Sequence, residues 1–163
     1  MRSLFYIREN SRIKEKNYRY FIHIGVVWGL FLINGCIQRQ SSSPDSAMYG
    51  FFYFFGSLSL MQALYEQLFF VRELGARSSR LKKYAAVPLS LGSCLRSCGW
   101  IMARYQLILT AGCLVLYFGL PVLFTKKLSS MPDLTEGILF LLMGAAVYFC
   151  LFLSGTLHSG VKE

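Results

Sequence analysis

Residues 138–157 read ILFLLMGAAVYFCLFLSGTL, twenty positions without a single formal charge. A helix of about 20 predominantly apolar residues crosses a hydrocarbon core of about 30 Å, and this stretch is apolar around most of its circumference. Three more stretches of the same kind precede it. Residues 20–37 (YFIHIGVVWGLFLINGCI) carry no full charge, residues 48–71 open on the aromatic run MYGFFYFFG, and residues 100–124 hold one arginine, Arg104, near their start. Apolar stretches of this length are expected to span a membrane, since only a helix satisfies its own backbone there. Four in one short chain predict an all-α polytopic membrane protein with four transmembrane helices.

Composition excludes the main alternatives. The chain has 163 residues, of which 55% are hydrophobic and 15% charged, and its mean hydropathy is +0.46. Soluble domains carry about 25% charged residues, and a core of this size has no room for so much apolar surface. A soluble enzyme, a disordered linker and a disulfide scaffold are all set aside.

The net charge of +9 is a topology signal. Arg2, Arg8, Arg12, Lys14, Lys16 and Arg19 precede the first stretch, against Glu9 and Glu15. Arg72, Arg77, Arg80, Lys82, Lys83 and Arg96 lie between the second and third, against Glu73. The other two connections are nearly neutral, with Arg39 and Asp45 in one and Lys126, Lys127, Asp133 and Glu136 in the other. Basic residues accumulate on the cytoplasmic side of short loops. Both termini are therefore expected in the cytoplasm, with residues 1–19 as a basic N-terminal segment, 20–157 as the membrane domain and 158–163 as a cytoplasmic tail. Anionic headgroups are partner enough for these cations, so no nucleic acid is expected.

Residues 1–19 place Leu4, Phe5, Tyr6 and Ile7 ahead of most of the charges. They are expected to form a short helix in the membrane interface, the other reading being a basic tail that only sets orientation. Ile33-Asn34-Gly35-Cys36 resembles a lipoprotein cleavage box, but Asn34 stands where a small residue is usual and three more spans follow. An uncleaved first helix is expected, with lipidation of Cys36 as the alternative. Gly25 and Gly29 match the small-xxx-small spacing of close helix packing, within the chain or against a second copy.

Glu66 and Arg104 are the full charges inside the apolar stretches, and intramembrane charges mark functional sites by default. Both lie near the cytoplasmic ends of their helices. They either pair and fix the geometry of the second and third helices, or snorkel to the headgroups. His23 and His158, near the inner ends of the first and fourth helices, are read as interface histidines without a metal. Of Cys36, Cys94, Cys98, Cys113 and Cys150, only Cys94 and Cys98 stand a helical turn apart, a weak zinc signal without a second pair, and the five are read as buried thiols packing as small apolar residues. No cofactor is expected. With no acid, base and nucleophile set in view, neither is catalysis.

Residues 72–99 (RELGARSSRLKKYAAVPLSLGSCLRSCG) form the most informative connection. A helix is expected to leave the membrane after Val71 and break near Gly75, with a short basic helix over 80–87. Pro88 then interrupts, and Ser90 is placed to cap the next helix. The segment is either a contact point for a cytosolic partner or a basic loop adsorbed on lipid.

This layout over residues 1–125 resembles the permease subunits of ABC-2-type ABC transporters. In that family an interfacial helix precedes the first span, and a coupling helix between spans two and three docks on the ATPase. The resemblance implies a transport subunit of the bacterial inner membrane. It also implies that Arg77, Arg80, Lys82, Lys83, Tyr84 and Pro88 belong to a surface for a cytosolic ATPase. The chain departs from the six spans common in that family, and it carries no Walker sequence, so nucleotide hydrolysis falls to another subunit. The alternative is a small accessory subunit that scaffolds a larger membrane complex, as a homo- or hetero-oligomer, and transports nothing.

Overall fold

The computed structural model describes residues 11, 17–38, 46–73, 76–80, 91–125 and 134–160. Four helices account for nearly all of them: α1 (Asn17–Gln38), α2 (Ser46–Phe69), α3 (Leu91–Thr125) and α4 (Leu134–Gly160). Between α2 and α3 lies a two-stranded antiparallel hairpin, β1 (Phe70–Glu73) with β2 (Ala76–Ser79), in the register Phe70↔Ser79 to Glu73↔Ala76. Residues 1–10 and 12–16, expected as an interfacial helix, lie outside the described residues.

Three helices are long and apolar enough to cross a membrane: Tyr18–Ile37, Gly92–Leu120 and Leu134–His158. They indicate an integral, multi-pass membrane protein. The outward faces agree, since Ile22, Val26, Leu107, Val115, Leu142 and Phe149 are all exposed. An apolar surface that wide is a liability in water and ordinary in lipid.

The remaining helix, α2, has the length for a crossing, 24 residues or about 36 Å, and carries Gln62, Glu66 and Gln67 in its second half. It also packs on all three of the others, and Tyr53, Ser57, Leu60, Met61, Leu64 and Leu68 are fully buried along it.

Two expectations for the second connection need correction. No helix continues past Val71, because β1 begins at Phe70. The connection is also shorter than 72–99. Helix α3 starts at Leu91, one position after the expected cap Ser90, and its first turns are already bundle: Cys94, Cys98 and Gly99 are buried.

Close helix approach does occur at glycines, though not at the expected pair. Among the described residues nothing lies within 4 Å of a Cβ built on Gly25 or Gly29, so no close helix approach occurs on that side of the pair. A Cβ on Gly112 of α3 would sit 2.2 Å from the indole of Trp28, whose Nε1–H donates to the Leu109 carbonyl at 3.3 Å. One glycine leaves room for the Trp28 ring of α1 against α3.

Candidate functional site

A directed chain of hydrogen bonds joins α2 to α3 at the centre of the bundle. Ser57 Oγ donates to Gln106 Oε1 at 3.0 Å, and Gln106 Nε2 donates to Tyr53 Oη at 3.1 Å. Thr110 Oγ1 donates to the Gln106 carbonyl at 2.8 Å. Its single proton is thereby used, so in the 2.8 Å contact between Tyr53 Oη and Thr110 Oγ1 tyrosine is the donor. All four residues are buried. The chain ends on a backbone carbonyl, which cannot pass a proton on, so it is a clasp and not a relay. Gln106 is the only amide side chain in residues 100–124. That lone amide is the sign of the clasp in the sequence, and it carries no charge to mark it.

Substituting Gln106 by leucine should strand the Ser57 hydroxyl in an apolar interior and leave Tyr53 Oη with its bond to Thr110 alone. The expected cost is about 1–2 kcal/mol, given that interhelical hydrogen bonds in membranes are individually modest. Ser57→Ala, which removes only the first bond, should cost about 0.5 kcal/mol. Thermal midpoints in detergent check both, and equal shifts for the two variants would deny Gln106 its place as the hub.

The clasp also fixes depth. The pairs Ser57–Gln106 and Tyr53–Thr110 run antiparallel, so Arg104 comes level with Ser59. That is roughly 10 Å, or two helical turns, from the level of Glu66. Arg104 lies on the outward stripe of α3 that carries exposed Trp100 and Leu107, but thirteen positions into a helix that begins at Leu91, so it is not near the helix end where it was expected. Glu66 instead lines a cavity of about 520 Å³ with Gln62, Tyr65, Phe70, Leu151 and His158. The expected pairing of Glu66 with Arg104 at one depth is not what the helices provide.

At the same end of the bundle, His23 Nδ1 meets the Arg19 carbonyl at 2.8 Å and His158 Nδ1 meets the Ser154 carbonyl at 3.1 Å. A carbonyl only accepts, so both rings carry the proton on Nδ1. The two histidines line separate cavities, His23 that between α1 and α2 with Phe51, Phe55 and Gly56, and His158 that beside Glu66. Among the described residues no group of three or more metal-ligating side chains forms. At the opposite end Tyr117 donates to Glu136, a carboxylate in the first turn of α4, where unpaired backbone N–H groups favour negative charge.

Of the expected partner surface, Arg77 stands in β2 with its Cα opposite that of Arg72, and half-buried Arg80 follows the strand. Lys82, Lys83, Tyr84 and Pro88 lie outside the described residues. Cys36 is exposed near the end of α1, within an unbroken helix that runs on to Gln38.

Comparison of the chain with protein-family models, with characterised proteins and with solved structures found no match.

Proposed function

We propose that this protein is an integral membrane subunit of a transport complex, permease-like, and that its segment between α2 and α3 docks a cytosolic ATPase. All four helices cross the bilayer in this reading, α2 included, with both termini on the cytoplasmic side of a bacterial inner membrane. The observation that carries it is the placement of charge. The basic residues gather before α1 and between α2 and α3, while the other two connections are nearly neutral. The segment between α2 and α3 adds a mechanical argument. It leaves α2 as a hairpin and re-enters the bundle as α3, and these two helices share the central clasp. A load applied to the segment would reach the middle of the membrane through helices already tied together.

Because the centre of the bundle is closed by its own hydrogen bonds, a substrate path in this reading runs between subunits. The competing reading, an accessory scaffold, draws on the broad apolar outer faces of α1 and α4, which suit packing against other membrane subunits.

Purification in mild detergent, with identification of co-purifying proteins, separates the two. The triple variant Arg80→Glu, Lys82→Glu and Lys83→Glu should lower ATPase recovery about tenfold or more, since like charges facing each other across an interface cost several kcal/mol. Membrane insertion should be unaffected. An ATPase that stays bound to the triple variant, or a complex holding none, removes the docking reading and leaves the scaffold.

A further inference from the structure

We propose that the outward face of α3 around Arg104 packs against a transmembrane helix of another protein, one that carries an aspartate or glutamate near the middle of the bilayer. The proposal needs only that α3 cross the membrane, and it is independent of the docking of an ATPase.

Arg104 is deep by two separate measures. The apolar part of α3, Gly92–Leu120, has 29 residues, and a crossing takes about 20. Every stretch of that length within it contains Arg104. Helix α4 gives the same depth. The midpoint of its crossing, Leu134–His158, is Ala146, and a Cβ on nearby Gly144 lies 2.6 Å from Gln106 Nε2. Gln106 stands two residues, about 3 Å, along α3 from Arg104. Snorkelling serves cations near helix ends, and Arg104 is not at one.

The surroundings make that depth costly. Arg104 is exposed, and it shares its stripe of α3 with Trp100, Leu107, Ala111 and Val115, all exposed as well. Their spacing alternates between three and four residues, the pattern of a helix face that another helix covers. A charged side chain inside a membrane ordinarily faces the bundle interior or a partner of opposite sign, whereas this one faces outward. The described carboxylates of the membrane helices lie elsewhere. Glu66 is two turns away in level, and Glu136 accepts from Tyr117 at the opposite end of the bundle.

Charge also decides the occupant. Copies of one chain insert with the same orientation, so a two-fold contact through this face would set each Arg104 against its counterpart at equal depth. Like charges repel most where the dielectric is low, which disfavours a second copy here. A carboxylate on a neighbouring helix instead forms charge-assisted hydrogen bonds with the guanidinium fork. Trp100 and Leu107, about one turn to either side, supply the apolar ridge that such a helix covers.

The test uses the full chain in phosphatidylcholine vesicles and a synthetic transmembrane peptide of leucine and alanine with one central glutamate. A dansyl group on the peptide accepts energy from the two tryptophans of the protein. The glutamate peptide should bind about tenfold or more tightly than the same peptide with glutamine at its centre. Arg104→Gln should bring the two peptides within about twofold of each other, while Arg104→Lys should keep part of the preference because the charge remains. Leu142→Ala, on the exposed face of α4, should leave the preference intact. The thermal midpoint of Arg104→Gln should equal that of the parent, since the partner lies outside the chain. Equal binding of the two peptides, or a glutamate preference that survives Arg104→Gln, overturns the proposal. So does a lowered midpoint in Arg104→Gln that Glu9→Gln or Glu15→Gln reproduces, because the carboxylate would then belong to this chain.

Discussion

Gly144→Leu is expected to destabilise the bundle by about 3 kcal/mol or more. Gly144 is buried on α4, and a Cβ built there lies 2.1 Å from Tyr53 Oη and 2.6 Å from Gln106 Nε2. Both atoms belong to the central clasp, so a side chain at this position must displace the two groups that hold α2 to α3. Tyr53 is fully buried and has no space to retreat into. Two costs then add: overpacking at the α4 interface, and hydroxyl and amide groups left in an apolar interior without their hydrogen bonds. The neighbouring Ala145 is exposed, and Ala145→Leu should stay within about 0.5 kcal/mol of the parent. Titration with a denaturing detergent, followed by circular dichroism, reads both midpoints. Equal shifts at the two positions would show that α4 does not pack on the clasp.

Phe140→Ala should cost about 2–3 kcal/mol. This ring, 2% exposed, stands 6.3 Å from Phe31, 5.4 Å from Tyr53 and 5.1 Å from Tyr117, centroid to centroid. One side chain of α4 thus touches α1, α2 and α3. A buried Phe→Ala change in a water-soluble core costs about 3–5 kcal/mol. In lipid the separated helices also keep the ring in an apolar solvent, so the transfer contribution largely cancels. What remains is the cavity and three aromatic contacts worth about 0.5–1.5 kcal/mol each. Phe149, on the same helix and 56% exposed, gives the control. Phe149→Ala should move the midpoint by less than about 0.5 kcal/mol, because lipid or detergent fills the space. If both substitutions cost the same, α4 is rotated from the orientation described.

How far the sequence could be read depended on whether a feature was local. The apolar helices over 20–37, 100–124 and 138–157 were legible because hydropathy sums over neighbours in the chain. The helix over 48–71 was legible in extent, but its meaning was not. Its Tyr53 and Ser57 look like weakness in a span until Gln106 and Thr110 are placed opposite them. Glu66 and Arg104 stood out as charges, yet depth is a relation between helices, and only the Ser57–Gln106 register puts them two turns apart. The glycines tell the same story. Gly25 and Gly29 have the spacing of a packing motif, yet a Cβ there would meet none of the described residues within 4 Å, while Gly112 and Gly144, with no such spacing around them, carry the tightest approaches.

The sequence by itself determined that this chain is a helical membrane protein with its positive charge gathered in two connections. Both are sums over contiguous residues: apolar area against a bilayer thickness, and net charge per loop. Tertiary structure alone decided which polar residues are inside. It joined Tyr53, Ser57, Gln106 and Thr110 into one clasp, drew Glu66 and His158 to the rim of one cavity, and paired residues 70–73 with 76–79 as strands. Those outcomes depend on helix rotation and register. Both are set by where glycines let neighbouring helices approach and where buried hydroxyls find their acceptors.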